Sequence, residues 1–327
     1  MTSFGYTLMT EQAGPRQLVR DAARAERAGF DFEVISDHYF PWLDSQGHAP
    51  YAWSVLGAVS QVTERVELMT YVTCPTFRYH PAVVAQKAAT IQLLSDGRFL
   101  LGLGAGENLN EHVVGRGWPP VNVRHEMLAE AVEIIGALFE GGYVNYAGEY
   151  FRVDSARLWD LPDEPPKIGI AASGDQSVSL AAQYGDALIA VQPDAELVSA
   201  FDESTDRTEP RKIGQVPVSY DPDPDAAARR AYEQFRWFGG GWKVNAELPG
   251  TAAFASASQF VRPEDVAGSI PCGPDVKRHL DAVAPYIEAG FTDVALVQVG
   301  GDTQEAFLDW AQETLLPALR DRFGKPA

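Results

Sequence analysis

The stretch Phe32-Glu33-Val34-Ile35-Ser36-Asp37-His38-Tyr39-Phe40-Pro41-Trp42 decides how this chain is read. Phe32 to Ile35 reads as a buried strand that breaks at once into a loop carrying an acid, an imidazole and an indole. Burying titratable and aromatic groups at the end of an apolar run is costly unless they have partners or a purpose. In a barrel of alternating strands and helices, residues at the carboxyl ends of the strands face the active site. The stretch makes sense if the rest of the chain repeats strand and helix.

It does. Strands are expected over residues 4–9, 31–36, 66–74, 99–103, 167–171, 186–191, 214–220 and 292–299. Helices fall between them. The first opens near Pro15 and ends at Gly29. Others cover 52–63, a run opening with Pro81, a run carrying Leu128, Val132, Ile135 and Phe139, then 177–184, 226–237 and 303–315. Pro217 is expected to weaken its strand, because proline cannot donate to a ladder. Eight strand–helix repeats point to a (β/α)₈ TIM barrel, here one domain over 1–327. Two insertions are expected: a hairpin near 143–153 and a lid-like segment near 238–272, which holds Gly239-Gly240-Gly241. An open doubly wound sheet is the alternative, but here the chemistry-bearing residues recur just after strand ends.

Composition narrows the class. The chain has 327 residues, 46% of them hydrophobic, and a net charge of −19. That charge argues against nucleic acid and anionic membrane surfaces, which are bound through clustered cations. No apolar run approaches the length of a membrane span, and the N-terminus lacks a signal-type core. Two cysteines, Cys74 and Cys272, are too few for a disulfide framework. A soluble cytoplasmic protein acting on a small-molecule substrate is expected.

Three places could carry chemistry. Asp37-His38 with Trp42 offers an imidazole able to take or give a proton near neutral pH; a histidine satisfied beneath a loop and a packing tryptophan are the bland alternatives. Glu107 follows Gly102-Leu103-Gly104-Ala105-Gly106, where small residues let the chain approach a ligand. It reads equally as a turn acid, and Asn108 and Asn110 beside it as ligand amides or turn closers. Ser173-Gly174-Asp175 precedes a helix whose free amides suit a phosphate, unless Asp175 is simply an N-cap. The six histidines form no metal-binding pair, and no Gly-x-Ser-x-Gly nucleophile motif occurs. General acid–base chemistry around a bound cofactor remains.

The run Ser36 to Trp42 with Gln46-Gly47-His48-Ala49-Pro50, the run Thr73 to Tyr79, and Gly104 to Glu111 together resemble the luciferase-like deazaflavin oxidoreductases, which depend on coenzyme F420. The likeness extends to about Ala318, and the nearest branch is related to F420-dependent glucose-6-phosphate dehydrogenase. The resemblance implies a TIM barrel, usually a homodimer, with F420 across the carboxyl ends of the strands. It gives His38, Trp42 and Glu107 the places of catalytic groups. Around the cofactor it places Asp37, Tyr71, Val72, Thr76, Gly106, Glu107, Asn110, Ser173 and Gly174, with no metal. At Tyr71-Val72 it implies a non-proline cis peptide backing the ring.

The resemblance also has departures. Asp194 takes the apparent place of a phosphate-binding lysine, and residues 263–270 contain no Lys or Arg, leaving Lys243 and Arg262 nearby. The expected reaction is therefore hydride transfer between F420 and a small alcohol, ketone or enone, not glucose 6-phosphate. An FMN-dependent luciferase-like monooxygenase and a non-catalytic deazaflavin-binding protein are the alternatives.

Overall fold

Short aliphatic runs pair in chain order in the computed structural model, which describes residues 2–324. They are β1 (Ser3–Leu8), β2 (Phe32–Ile35), β3 (Glu67–Thr70), β4 (Phe99–Leu103), β5 (Lys167–Ala171), β6 (Ala187–Ala190), β7 (Arg211–Val218) and β8 (Asp293–Gln298). Each pairs in parallel with its sequence neighbours, and β8 closes onto β1, so the sheet is a closed eight-stranded barrel. Alternate side chains fill its interior, among them Phe32, Val34, Met69, Leu100, Ile189 and Ile213. The others meet the surrounding helices, as the twofold period of a strand requires.

Local chemistry sets the element ends. Helix Pro15–Ala28 starts on proline and stops at Gly29, whose φ of 102° lets its amide reach Ala25 and Glu26 carbonyls. The third strand is much shorter than the expected 66–74. Its ladder stops at Thr70, the Tyr71–Val72 peptide is cis, and pairing resumes only as a Thr73–Leu103 bridge. Gly102 is obligatory beside it, because a Cβ there would lie 1.9 Å from the Thr70 carbonyl oxygen. Pro217 sits within β7 after all. The β6 ladder reaches only Gly214, so proline's missing N–H opposes no partner on that side.

Other expectations also need correction. Helices Ala195–Ser204 and Val276–Glu288 lie outside the expected elements; the second carries Val276, Leu280, Val283 and Ile287 on one face but has Pro285 inside it. The last helical run continues past 315 through a wide π turn, Ala311–Leu315, into Leu316–Phe323. The hairpin pairs Val144–Ala147 with Arg152–Ala156, beyond the expected end at 153. Glu130 anchors it by accepting the amides of Glu149, Tyr150 and Phe151. Residues 238–272 hold short helices, Trp242–Asn245, Gly250–Ala257 and Pro263–Ser269. Phe254, Val266 and Ile270 from this segment join Met9, Trp42, Trp237 and Val297 in an apolar cluster over the carboxyl mouth of the barrel. None of the helices among the described residues is long and apolar enough to cross a membrane.

One barrel position works against stability. Glu33 faces the helix layer, is 1% exposed, and neither carboxylate oxygen has a hydrogen-bond partner. Burial, then Glu26, pushes its carboxyl well above the ordinary value. A raised acid pKa in the folded state means stability is fully present below the unfolded value and is lost as pH rises through the folded one. Glu33→Met is therefore expected to stabilise the protein at pH 8 by about 1–3 kcal/mol. Urea midpoints should converge with those of the original protein toward pH 4. A less stable variant at pH 8 would refute this.

Candidate active site

The carboxyl ends of the strands surround a cavity of about 660 Å³. Met9 and Glu11 enter it after β1, Asp37 and His38 after β2, Tyr71 and Val72 after β3, Glu107 and Asn110 after β4, and Ser173 to Ser177 after β5. Lid residues Trp242, Lys243 and Glu247 also line it.

At its centre is a line of three side chains. His38 Nδ1 lies 3.1 Å from Glu11 Oε1 and 3.2 Å from the Phe40 carbonyl oxygen. Both are acceptors, so the Nδ1 position carries a proton. That leaves Nε2 to face Glu107 Oε2 at 3.6 Å, a slight closure short of a hydrogen bond. Burial pushes the Glu107 carboxyl up to about 7; His38 and Arg78 act against the rise, Glu11 and Glu111 with it. Glu11 was missed by sequence reasoning. It follows β1 with no motif around it, and only pairing of β1 with β2 brings it to His38. Ser36 Oγ donates to its other oxygen at 2.6 Å.

Surrounding bonds hold this line. Asn110 Oδ1 accepts the amides of Tyr39 and Phe40, while its Nδ2 points to Glu107 Oε2 at 3.4 Å. The Asp37 carboxylate accepts from Thr73 Oγ1, Trp53 Nε1 and Tyr79 OH at 2.8–3.1 Å. Arg78 reaches the Asp37 carbonyl at 2.6 Å and pairs with Glu111 at 2.9 Å. Asp37 thus borders the cavity while serving as an internal anchor. Gly106 has a φ of +86°, and a Cβ there would press on Cys74 Sγ at 2.6 Å. Burial pushes the Cys74 thiol far up, which leaves it inert as a nucleophile. Among the described residues no cluster suited to a metal ion occurs.

Trp42 closes one end. It meets the His38 ring at 4.8 Å, stacks on Trp237 at 4.0 Å and 11°, and takes the edge of Phe254 at 5.0 Å. Gln46 fixes the loop by accepting the Trp42 and Leu43 amides. Trp237 was also missed, because stacking partners so far apart in sequence leave no local signal.

Five of the residues singled out in the sequence sit differently. Thr76 is fully buried with its hydroxyl on Cys74 Sγ and is not a wall of the cavity. Ser173 and Gly174 do line the cavity, but both amides bond Ser177 Oγ at 3.0 and 3.2 Å. The open donors there are the first-turn amides of Asp175 and Gln176. Asp194 is an exposed N-cap accepting the Glu196 and Leu197 amides, outside the cavity; Gln192 lines it instead. Arg262 lies outside too, paired with Asp265 at 2.6 Å. Of the cations that line the cavity, Arg78 and Arg124 are ion-paired, which leaves Lys243.

The luciferase-like monooxygenase family model matches residues 1–293. The chain is 36% identical to an F420-dependent glucose-6-phosphate dehydrogenase of Amycolatopsis mediterranei, covering 98% of this chain and 99% of that one. It is 35% identical to an F420-dependent hydroxymycolic acid dehydrogenase of Mycobacterium tuberculosis, covering 97% and 88%. Its structure is similar to an F420-dependent secondary alcohol dehydrogenase in complex with an F420-acetone adduct. That match has a TM-score of 0.88 and 29% identity, over 98% of this chain and 99% of that one.

Proposed function

The chain belongs to the luciferase-like family, and from that premise we propose that it moves hydride between coenzyme F420 and an uncharged small alcohol or ketone. That it is an F420-dependent oxidoreductase follows from its relatives. The Glu11–His38–Glu107 line beside an aromatic wall is the observation that carries the substrate reading.

The residues present fit a deazaflavin. The cavity has an apolar flank of Val72, Ala171 and Ile189, and unpartnered amides at Asp175 and Gln176 suited to a phosphate. Tyr71, Val72, Gly106, Asn110 and the 173–177 turn would hold it. When bound, it supplies the ring carbon that accepts or gives hydride. The protein's own task is the proton. Oxidising an alcohol requires its hydroxyl proton to leave, and reducing a ketone requires one to arrive at the oxygen. Glu107 and His38 Nε2 face the same space and can pass that proton between them, while Glu11 holds Nδ1–H in place. Trp42, Trp237 and Phe254 exclude water and limit the size of the group beside the reacting carbon.

Phosphate recognition has little to work with here. Lys243 would stand against Glu11 and Glu107 in one cavity, and a dianion needs charge-assisted bonds to offset its desolvation. The expected result is tight binding of F420, weak binding of flavin mononucleotide, and turnover of simple secondary alcohols or ketones. Fluorescence titration with both cofactors, then a substrate screen by deazaflavin absorbance in both directions, checks this. Preference for flavin mononucleotide would overturn the cofactor assignment. A kcat/KM for glucose 6-phosphate of about 10⁴ M⁻¹s⁻¹ or more would overturn the substrate class.

A further inference from the structure

Segment 241–250 is bracketed by two glycines with left-handed backbone, Gly241 and Gly250, both at φ 73°. Neither has another group within 4 Å of where a Cβ would stand, so both ends turn in open space. Between them the segment lays Trp242, Asn245 and Ala246 against the cavity and leaves Val244 exposed. Its inner contacts are modest. Trp242 and Leu248 pack on the edge of the apolar cluster, and Asn245 Nδ2 reaches the Trp237 carbonyl at 3.4 Å.

Polar bonds to the barrel sit at the other end of the segment. Glu247 Oε1 pairs with Arg124 Nη2 at 2.7 Å, and its Oε2 accepts Trp118 Nε1 at 2.9 Å. Arg124 is 3% exposed, also donates to the Pro119 carbonyl, and lies over the Trp118 ring at 4.2 Å. The acceptor on the segment is half exposed, whereas Arg124 on the barrel side is buried. A second tie is made by Asn108, whose amide donates to the Ala246 carbonyl at 2.9 Å and whose Nδ2 donates to the Glu247 carbonyl at 3.0 Å. Asn108 directly follows Glu107.

We propose that residues 241–250 form a flap over the cavity, latched by Glu247 on Arg124 and Trp118 and tied through Asn108 to the Glu107 loop. Opening hinges at Gly241 and Gly250 and releases Glu247. Closing excludes water from the cavity and adds the Asn108 tie to the bonds that the Asn110 and Glu111 amides make to the Glu107 carbonyl, which tightens the placement of the proton-handling acid. Glu247 is thus a positioning residue that acts through Asn108. This rests on the proposed role of Glu107, but the flap itself does not.

Glu247→Gln removes the charge from the latch while leaving the surface fold intact, and Glu264→Gln, on the lid but outside the latch, is the control. Hydrogen exchange of the cofactor-free protein is expected to quicken over 242–249 by about tenfold or more in Glu247→Gln, with the control unchanged. Stopped-flow fluorescence should show F420 leaving faster by a similar factor, and kcat should fall while the control's does not. Equal exchange in Glu247→Gln and the original protein would overturn the flap. A protein that binds no F420 would overturn the proposed function, while the exchange measurement would still decide the flap.

Discussion

Replacing Glu107 by glutamine lowers turnover by about 10²–10⁴-fold, the usual value of a positioned acid or base, with F420 affinity changed only a few-fold. The reason is its environment. Glu107 follows β4 on a glycine-rich turn, lies in the cavity wall, and faces His38 Nε2 at 3.6 Å. Burial holds its carboxyl up to about 7, against an ordinary value of 4.5. At neutral pH it is therefore divided between an acid that can give a proton and a carboxylate that can take one. The sign of the pH dependence reports which direction is being run. Alcohol oxidation needs the carboxylate, so kcat/KM should fall as pH drops below about 7. Ketone reduction needs the acid, so it should fall as pH rises above about 7. Glutamine removes that limb in both directions. Steady-state rates from pH 5 to 9 with saturating cofactor, beside a fluorescence titration, decide it. Near-normal turnover, or an unchanged limb in Glu107→Gln, would remove the residue from the mechanism.

His38→Ala is expected to cost a comparable 10²–10⁴-fold in turnover, and Glu11→Gln a smaller but clear loss. With His38 gone, Glu107 loses both the neighbour that acts against its raised pKa and its proton partner, so the remaining limb should move upward. Glu11→Gln acts through the ring instead. An amide in place of the carboxylate can present N–H toward Nδ1, which disfavours the Nδ1–H form and turns Nε2 from acceptor to donor. If His38 only supports the loop, Glu11→Gln will leave the pH profile as it was and His38→Ala will lower the melting temperature without lowering turnover of the folded fraction. If the line works as a unit, the Glu11→Gln, His38→Ala double variant will lose little more than His38→Ala alone.

The two sets of expectations divide along a physical line. Residue order alone carried the barrel. Apolar runs that repeat with the periods of strand and helix, Pro15 and Gly29 at helix ends, and glycines before Glu107 are all local signals, because each depends on neighbours within a turn or a strand. The same locality made His38, Trp42 and Glu107 legible, since each stands just after an expected strand end. It failed where backbone geometry interrupts a good apolar run, as at Tyr71–Val72, and where a proline inside a periodic run reads as a breaker, as Pro285 does in Val276–Glu288.

What only the tertiary structure decided are the partners. Glu11 meets His38 because β1 and β2 are adjacent, and Trp42 stacks on Trp237 because the lid folds over the mouth. Arg124 and Glu247 pair across 123 residues. The opposite outcome has the same origin. Thr76 turns its hydroxyl to Cys74, and Asp194 spends its carboxylate on capping a helix, so neither reaches the cavity. A side chain's chemical type is written in the sequence. Whether its hydrogen bonds are satisfied by the protein itself or left open to a ligand depends on which distant groups the closed barrel brings within about 3 Å.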